Sequence, residues 1–352
     1  MSKEIKHIYW FAASNLTGPS TRYRAYYPMK YLKKETNITS DFVYPSRSLN
    51  DIIKFLTTYF SILFFRKRNS IIVIQKVCSN RVYANALKIL ILVRKKNTVY
   101  DLDDAEHLRN NTKTLHFFLK RSETIFVGST ALLNYCKAYN NNVHILTSPV
   151  VAHNNIKKSK EKKFTIGWIG DSGNGNKSAH LFSHKKSLFE ILFKNLIKIN
   201  TPIKLILIGI KNQKDVEEIK FFFKNQTNIE VVIPLGLDWK NDMWVYAEIK
   251  KFDIGVSPMV NHPFTQAKSA FKAKQYLSCG VPVIANNIGE NYKFVNKENG
   301  VLCDNNKEFI AAISRFINMG EKEYAVFNKN CIKTLDMFSV KNYCTTFINQ
   351  LQ

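Results

Sequence analysis

Short β-rich apolar runs alternate with amphipathic helical patterns along this chain, and the alternation starts twice. In the first half, strand candidates lie at 5–11, 41–44, 70–75, 97–101, 124–128 and 143–146, with helical patterns at 22–34, 52–65, 81–94 and 129–139 between them. A polar, aperiodic stretch follows at 152–163 (AHNNIKKSKEKK) and reads as a linker. Strand candidates then resume at 164–169, 203–209, 229–233, 253–257 and 281–285, again with helices between. Strands that alternate with helices make βαβ units and a parallel sheet. A chain of 352 residues exceeds what one core usually organises. The expectation is therefore an α/β protein of two successive Rossmann-like domains, at 1–155 and 164–335, followed by a C-terminal helical segment at 336–352.

Composition narrows the function classes. With 45% hydrophobic residues, each half can build a core. The six cysteines (Cys78, Cys136, Cys279, Cys303, Cys331, Cys344) are scattered, with no CxxC and no Cys/His ligand spacing. That argues against a zinc site and for a reducing, cytoplasmic setting. The opening MSKEIKHIYWF runs directly into a strand candidate, so no signal peptide is expected. No apolar run approaches the roughly 18–20 residues of a membrane span. Net charge is +25, from 52 Lys and Arg against 27 Asp and Glu, so an anionic partner is expected. No RNP-like motif, zinc finger or base-reading helix is present, and nucleic acid is not the expected partner. An anionic membrane surface fits better. Residues 52–65, ending FLTTYFSILFF, precede Arg66-Lys67-Arg68, the mixture of an interfacial helix. The same pattern also suits a core helix with a basic C-terminus.

The stretch 253–285, DIGVSPMVNHPFTQAKSAFKAKQYLSCGVPVIA, reads as strand, loop, helix (265–278), turn and strand. Lys268, Lys272 and Gln275 stand at i, i+4 and i+7, which would align them on one face of that helix. A helix N-terminus beyond a strand's carboxyl end is where open α/β sheets hold anions. Two lysines there suit a phosphate or diphosphate; a solvated lysine face is the plainer alternative.

The segment resembles the donor-site signature of the GT-B glycosyltransferases of family 4 (glycosyl transferases group 1). It is most similar to a bacterial branch with the motif "aPl…pfn.gKs..K.lEYma.G.PVva". The matching letters are Ser257-Pro258, Pro263-Phe264, Lys268-Ser269, Lys272, Gln275-Tyr276, Gly280 and Pro282-Val283, continued by Gly289, Glu290, Asn299-Gly300 and Asp304. The resemblance implies two Rossmann-like domains with parallel sheets facing across a cleft and a C-terminal helix returning to the N-terminal domain. It also implies transfer of a sugar, with retention, from a nucleotide-sugar donor to a glycan, lipid-linked or cell-surface polysaccharide acceptor. The donor is a substrate; no cofactor and no metal are implied. A cytoplasmic protein, peripheral at the inner face of the membrane, fits such an acceptor.

Three further stretches carry candidate chemistry. TIGWIGDSGNGNK at 165–177 places Gly170, Gly173 and Gly175 after a strand, where backbone can approach a phosphate, although a plain loop reads the same way. It resembles the "IGWiGs" opening of the branch's second domain, in which Lys177 would meet the donor diphosphate. NLTGPSTRYR at 15–24 offers Gly18, Arg22 and Arg24 to an anion on the acceptor side. The alternative there is a helix cap at Ser20 or Thr21. YDLDDAEH at 100–107 clusters Asp101, Asp103, Asp104 and Glu106. It resembles the branch's "vvyDlDDa", which implies sugar or acceptor binding by Asp103 or Asp104; a structural helix cap is the alternative. One departure stands out. Many family members carry Glu-x7-Glu where this chain has Ala267 and Gln275. Gln can accept hydrogen bonds from a ribose but without charge assistance. That departure leaves two other readings open, a catalytically silent GT-B subunit and another GT-B enzyme such as a nucleotide-sugar epimerase.

Overall fold

The computed structural model describes residues 4–76, 80–108, 112–152, 159–172 and 184–352. The chain divides into two compact units. Met1–Val151, Ala267–Ser269 and Phe338–Gln352 form the first, and Ala152–Gln266 with Ala270–Met337 the second.

The first unit holds a six-stranded sheet of β1 (His7–Phe11), β2 (Thr39–Val43), β3 (Ser70–Gln75), β4 (Thr98–Leu102), β5 (Thr124–Val127) and β6 (Val143–Ile145). The order is β2-β1-β3-β4-β5-β6 and every pairing is parallel. All residues of β1, β3, β4 and β5 are buried, as apolar parallel strands covered by helices must be. Helices α1 (Tyr27–Glu35), α2 (Leu49–Phe65) and α3 (Arg81–Val93) are among those that follow its strands.

The second unit holds β7 (Thr165–Ile169), β8 (Ile203–Ile208), β9 (Ile229–Val232), β10 (Ile254–Ser257), β11 (Val283–Asn286) and β12 (Gly300–Cys303). Its order is β12-β11-β10-β7-β8-β9, again all parallel. Both orders are doubly wound. The chain reverses its direction of travel between β1 and β3 in the first sheet, and between β7 and β10 in the second. Such switch points open a crevice at the strands' carboxyl ends. Strand β12, Gly-Val-Leu-Cys, lies outside the strand candidates read from the sequence.

Helix α4 (Phe271–Ser278) departs from the sequence expectation. In place of one helix over 265–278, a short turn of helix at Pro263–Gln266 ends before Ala267, and α4 starts only after Ala270. Ala270 adopts φ 56°, ψ 31°, the left-handed region that L-residues occupy at a penalty of roughly 1–2 kcal/mol. The break coincides with a tertiary contact: Lys268 leaves the helical path and pairs with Asp104 at 2.6 Å. The C-terminal end follows expectation. Gly280 has φ 72°, its N–H donates to Leu277 O at 3.0 Å, and Val281 N–H donates to Tyr276 O at 3.0 Å. These two bonds are a Schellman cap, with Gly in the position where a side chain would be strained.

The last helix, α5 (Val340–Asn349), contributes to the first unit's core. Phe347 stacks on Trp10 at 5.6 Å and lies 5.3 Å from Phe126. The Tyr343 hydroxyl donates to Arg24 O at 3.1 Å, and Val150 N–H donates to Phe338 O at 3.0 Å. Burying a ring of this size is worth roughly 1.5–3 kcal/mol, so the segment is an integral part of that unit.

Candidate functional site

In the first unit, polar side chains collect at the carboxyl ends of β1, β3 and β4, beside the switch point. The turn of π-helix at Arg22–Tyr26 directs Arg24 inward, where it is fully buried. Its guanidinium grips Asp101 bidentately, with Nε 3.1 and 3.0 Å from the two carboxylate oxygens and Nη2 also on Oδ1. Nη1 donates to Leu146 O at 2.6 Å. Gln75, the last residue of β3, donates to Asp101 Oδ2 at 3.4 Å and to Ser20 O at 3.3 Å. Lys76 then stands between two carboxylates, 2.8 Å from Asp103 Oδ1 and 2.8 Å from Asp104 Oδ2. Ser20 donates its hydroxyl to Asp103 Oδ2 at 2.5 Å, and Lys268 completes the chain on Asp104 Oδ1.

Neighbouring charges shift two members of this row, Asp104 and Lys76. Burial is the largest single influence on Asp104 and pushes its carboxyl up, but the Lys268 and Lys76 ammoniums together outweigh it and hold it well below the usual carboxylate range. For Lys76, burial works downward and is outweighed by Asp103, Asp104 and Glu106, so its pKa is raised. Asp103 and Asp104 are both engaged in ion pairs, and among the described residues neither side chain is seen to cap a helix.

The expected acceptor-side residues separate in role. Arg24 has no face left for a ligand: desolvating a guanidinium is tolerable here only because Asp101 answers it. Arg22 is buried too and donates Nη1 to Leu16 O at 2.8 Å and to Thr17 O at 3.0 Å, bracing the loop that carries Gly18. Gly18 is itself the N-cap of a helical turn with Pro19 at its first position, so neither Ser20 nor Thr21 fills that role.

In the second unit the switch point lies between β7 and β10. The Tyr276 hydroxyl ties those strands together, accepting from Ile169 N–H at 2.9 Å and donating to Val256 O at 3.2 Å. One turn before Tyr276, Lys272 reaches across the end of β7. A methyl group at Gly170 would stand 2.5 Å from the Trp168 ring and 3.0 Å from Lys272 Cε, so a side chain there would crowd the ring first and the lysine less. Lys272 Nζ is 5.8 Å from the Trp168 ring centre and within 3.2 Å of His184 Nε2. Gln275 is buried on α4. Gly289 N–H donates to Gln266 at 3.4 Å, and the buried Glu290 pairs with Lys293 at 2.5 Å. Ser269 is buried within the first unit's Ala267–Ser269 segment. Lys177, with Gly173 and Gly175, lies outside the described residues.

Lys268, Lys272 and Gln275 therefore do not form one stripe, because Lys268 precedes the left-handed Ala270 and only the other two are on α4. Conversely, Lys76 and His184 belong to these clusters with no part in the sequence reading, and Ser20, which that reading offers only as a helix cap, bonds Asp103 instead. Lys76 carries a signal of sorts, as the first residue after a switch-point strand. His184 carries none. Among the described residues, no group of three or more His, Cys, Asp or Glu is arranged to hold a metal ion. The five described cysteines are buried free thiols, and burial pushes Cys136, Cys279, Cys303 and Cys344 up to about 12, so they are protonated and inert as nucleophiles.

Solved structures share this architecture over almost the whole chain. Sucrose-phosphate synthase from Thermosynechococcus elongatus superposes with a TM-score of 0.67 at 12% identity, covering 97% of each chain. Anabaena HepE in complex with UDP-glucose gives 0.62 at 14% identity, covering 98% of this chain and 99% of its own. The lipopolysaccharide outer core galactosyltransferase WaaB gives 0.63 at 11% identity, covering 99% of each. These likenesses establish the fold. Residues 164–319 match the sequence profile of the family described as Glycosyl transferases group 1. The chain has the GT-B fold, and its second unit resembles the group 1 glycosyltransferases. No curated protein matches this chain by sequence. The profile spans β7 to α4 and on through β12, so the elements around Lys272, Gly170 and Glu290 belong to the group 1 domain.

Proposed function

We propose that this chain is a glycosyltransferase that takes its sugar from a nucleotide-sugar donor whose diphosphate is held in the second unit by Lys272. One observation carries the reading: a cation lies across Gly170 at the switch point between β7 and β10, where an open α/β sheet offers a crevice. Leaving-group departure puts negative charge on the diphosphate, and a positioned ammonium stabilises that charge more than it stabilises the ground state. Ser269, Gln275, Gly289 and Glu290 are assigned to the donor on the strength of the family motif, Gln275 as a neutral acceptor for ribose. UDP-glucose, which occupies the Anabaena protein, is the natural first donor to try. Asp103 and Asp104, braced by Lys76, are assigned to sugar or acceptor. Lys268 carries a diphosphate role by resemblance alone; in the structure it pairs with Asp104. Retention and a lipid-linked or polysaccharide acceptor also follow from the resemblance, and a lipid-linked acceptor would bring the protein to the inner face of a membrane.

Incubating the protein with a panel of nucleotide-sugars and following donor turnover with extracted glycolipid or oligosaccharide acceptors tests this reading. Consumption of one donor class, with product keeping the donor's anomeric configuration, is expected. An inverted product would overturn retention. Turnover of none, with wild-type and Lys272→Ala protein alike inert, would overturn the donor assignment.

A further inference from the structure

Helix α2 has its apolar residues on the wrong side for a helix that only packs on a core. Of its seventeen residues, just Thr58, Tyr59 and Ile62 are buried, and its charged residues are Asp51 and Lys54. Leu49, Ile53, Leu56, Phe60 and Phe64 recur every three or four residues along the exposed side, so they form one stripe facing solvent. Phe64 is 69% exposed and Phe65 81%. Helix α3 packs beside it, with the Tyr59 hydroxyl donating to Ala86 O at 3.0 Å and Arg94 Nε to Ile62 O at 3.2 Å. It adds exposed Val82, Ile89, Leu92 and Val93, the first of them 83% exposed. An apolar ridge on two adjacent helices marks an interaction surface, whereas scattered single side chains would not.

The charges beside the ridge decide what it fits. Helix α2 runs into Arg66-Lys67-Arg68 and α3 into Arg94-Lys95-Lys96. Arg66 Nη1 donates to Lys96 O at 2.7 Å, which brings the two basic runs together at one end of the ridge. Arg66 and Arg94 are engaged with backbone carbonyls, and Lys67 pairs with Asp41 at 3.7 Å. Arg68, Lys95 and Lys96 are exposed and point the patch's charge outward. No helix among the described residues is long and apolar enough to cross a membrane. We infer that the α2–α3 ridge is a surface that lies in the interface of an anionic lipid bilayer, its phenylalanines in the acyl boundary and Arg68, Lys95 and Lys96 on the headgroups. Apolar insertion with adjacent basic charge is the combination such interfacial helices use. The inference rests on exposed side chains of the first unit and stands whether or not the donor assignment holds.

Co-sedimentation with vesicles of phosphatidylcholine alone, and with phosphatidylglycerol added, tests it. Binding to the anionic vesicles at low salt is expected, falling steeply as salt shortens the Debye length to a few ångströms. Phe60→Ser/Phe64→Ser/Phe65→Ser should weaken that binding at least about tenfold, and Arg68→Gln/Lys95→Gln/Lys96→Gln should remove most of its salt dependence. All six positions are exposed, and an unchanged circular dichroism melt confirms that the variants fold. Phe64→Trp, placed in otherwise unchanged protein, should shift its emission to the blue on anionic vesicles only. No binding at low salt, or equal binding by the triple Phe variant, overturns the inference. So does a wild-type dimer that the Phe changes dissociate, since a second copy would then cover the ridge.

Discussion

Arg24 keeps its charge without solvent because Asp101 meets it along both edges of the carboxylate, and this sets a sharp expectation. Asp101→Asn leaves a buried guanidinium unanswered and should lower stability by about 3–5 kcal/mol, read as a fall in urea midpoint. A loss below about 1 kcal/mol would mean that water already reaches the pair. Asp104 sets a second expectation, through pH. Its folded pKa is depressed below the ordinary value of 3.8 by Lys268 and Lys76 acting against burial. A depressed carboxylate contributes stability that is fully present above the ordinary value and is lost as pH falls through the folded one. Asp104→Asn should therefore flatten the acid limb of the stability curve below that value. An unchanged acid limb would show that the ion pairs add nothing.

At the scale of elements, the strands were readable because each is an apolar run bounded by polar or turn residues, and the C-cap of α4 because only Gly serves at its C′ position. The break before α4 was not. Ala270 is the residue type with the highest helix propensity, and nothing local forbids a helix through it. The break coincides with Lys268 pairing with Asp104, far away in sequence, and with burial of Ala267 and Ser269. The carboxylates of the candidate site were legible as a cluster, while their counter-cation Lys76 was not, since β3 and β4 become neighbours only in the sheet. The left-handed Ala270 yields its own test. Ala270→Val puts a β-branched side chain at positive φ and should destabilise by about 1–3 kcal/mol, whereas Ala270→Gly should be close to neutral because relief of strain offsets the added chain entropy. Equal denaturation midpoints for the Val and Gly variants would contradict the backbone assignment.

For the whole molecule, two doubly wound sheets supply two switch points, and the chain places different chemistry at each: a braced row of carboxylates and lysines in the first unit, and a cation over a glycine in the second. Lys272 at the second is proposed to hold the donor diphosphate. Titration calorimetry of UDP and the other nucleoside diphosphates into wild-type and Lys272→Ala protein tests it most directly. A charge-assisted hydrogen bond to phosphate contributes roughly 1.5–3 kcal/mol, so the account predicts that one nucleoside diphosphate binds the wild type and that Lys272→Ala weakens it about tenfold or more. Undiminished affinity in the variant, or no binding of any nucleoside diphosphate to the wild type, would contradict it.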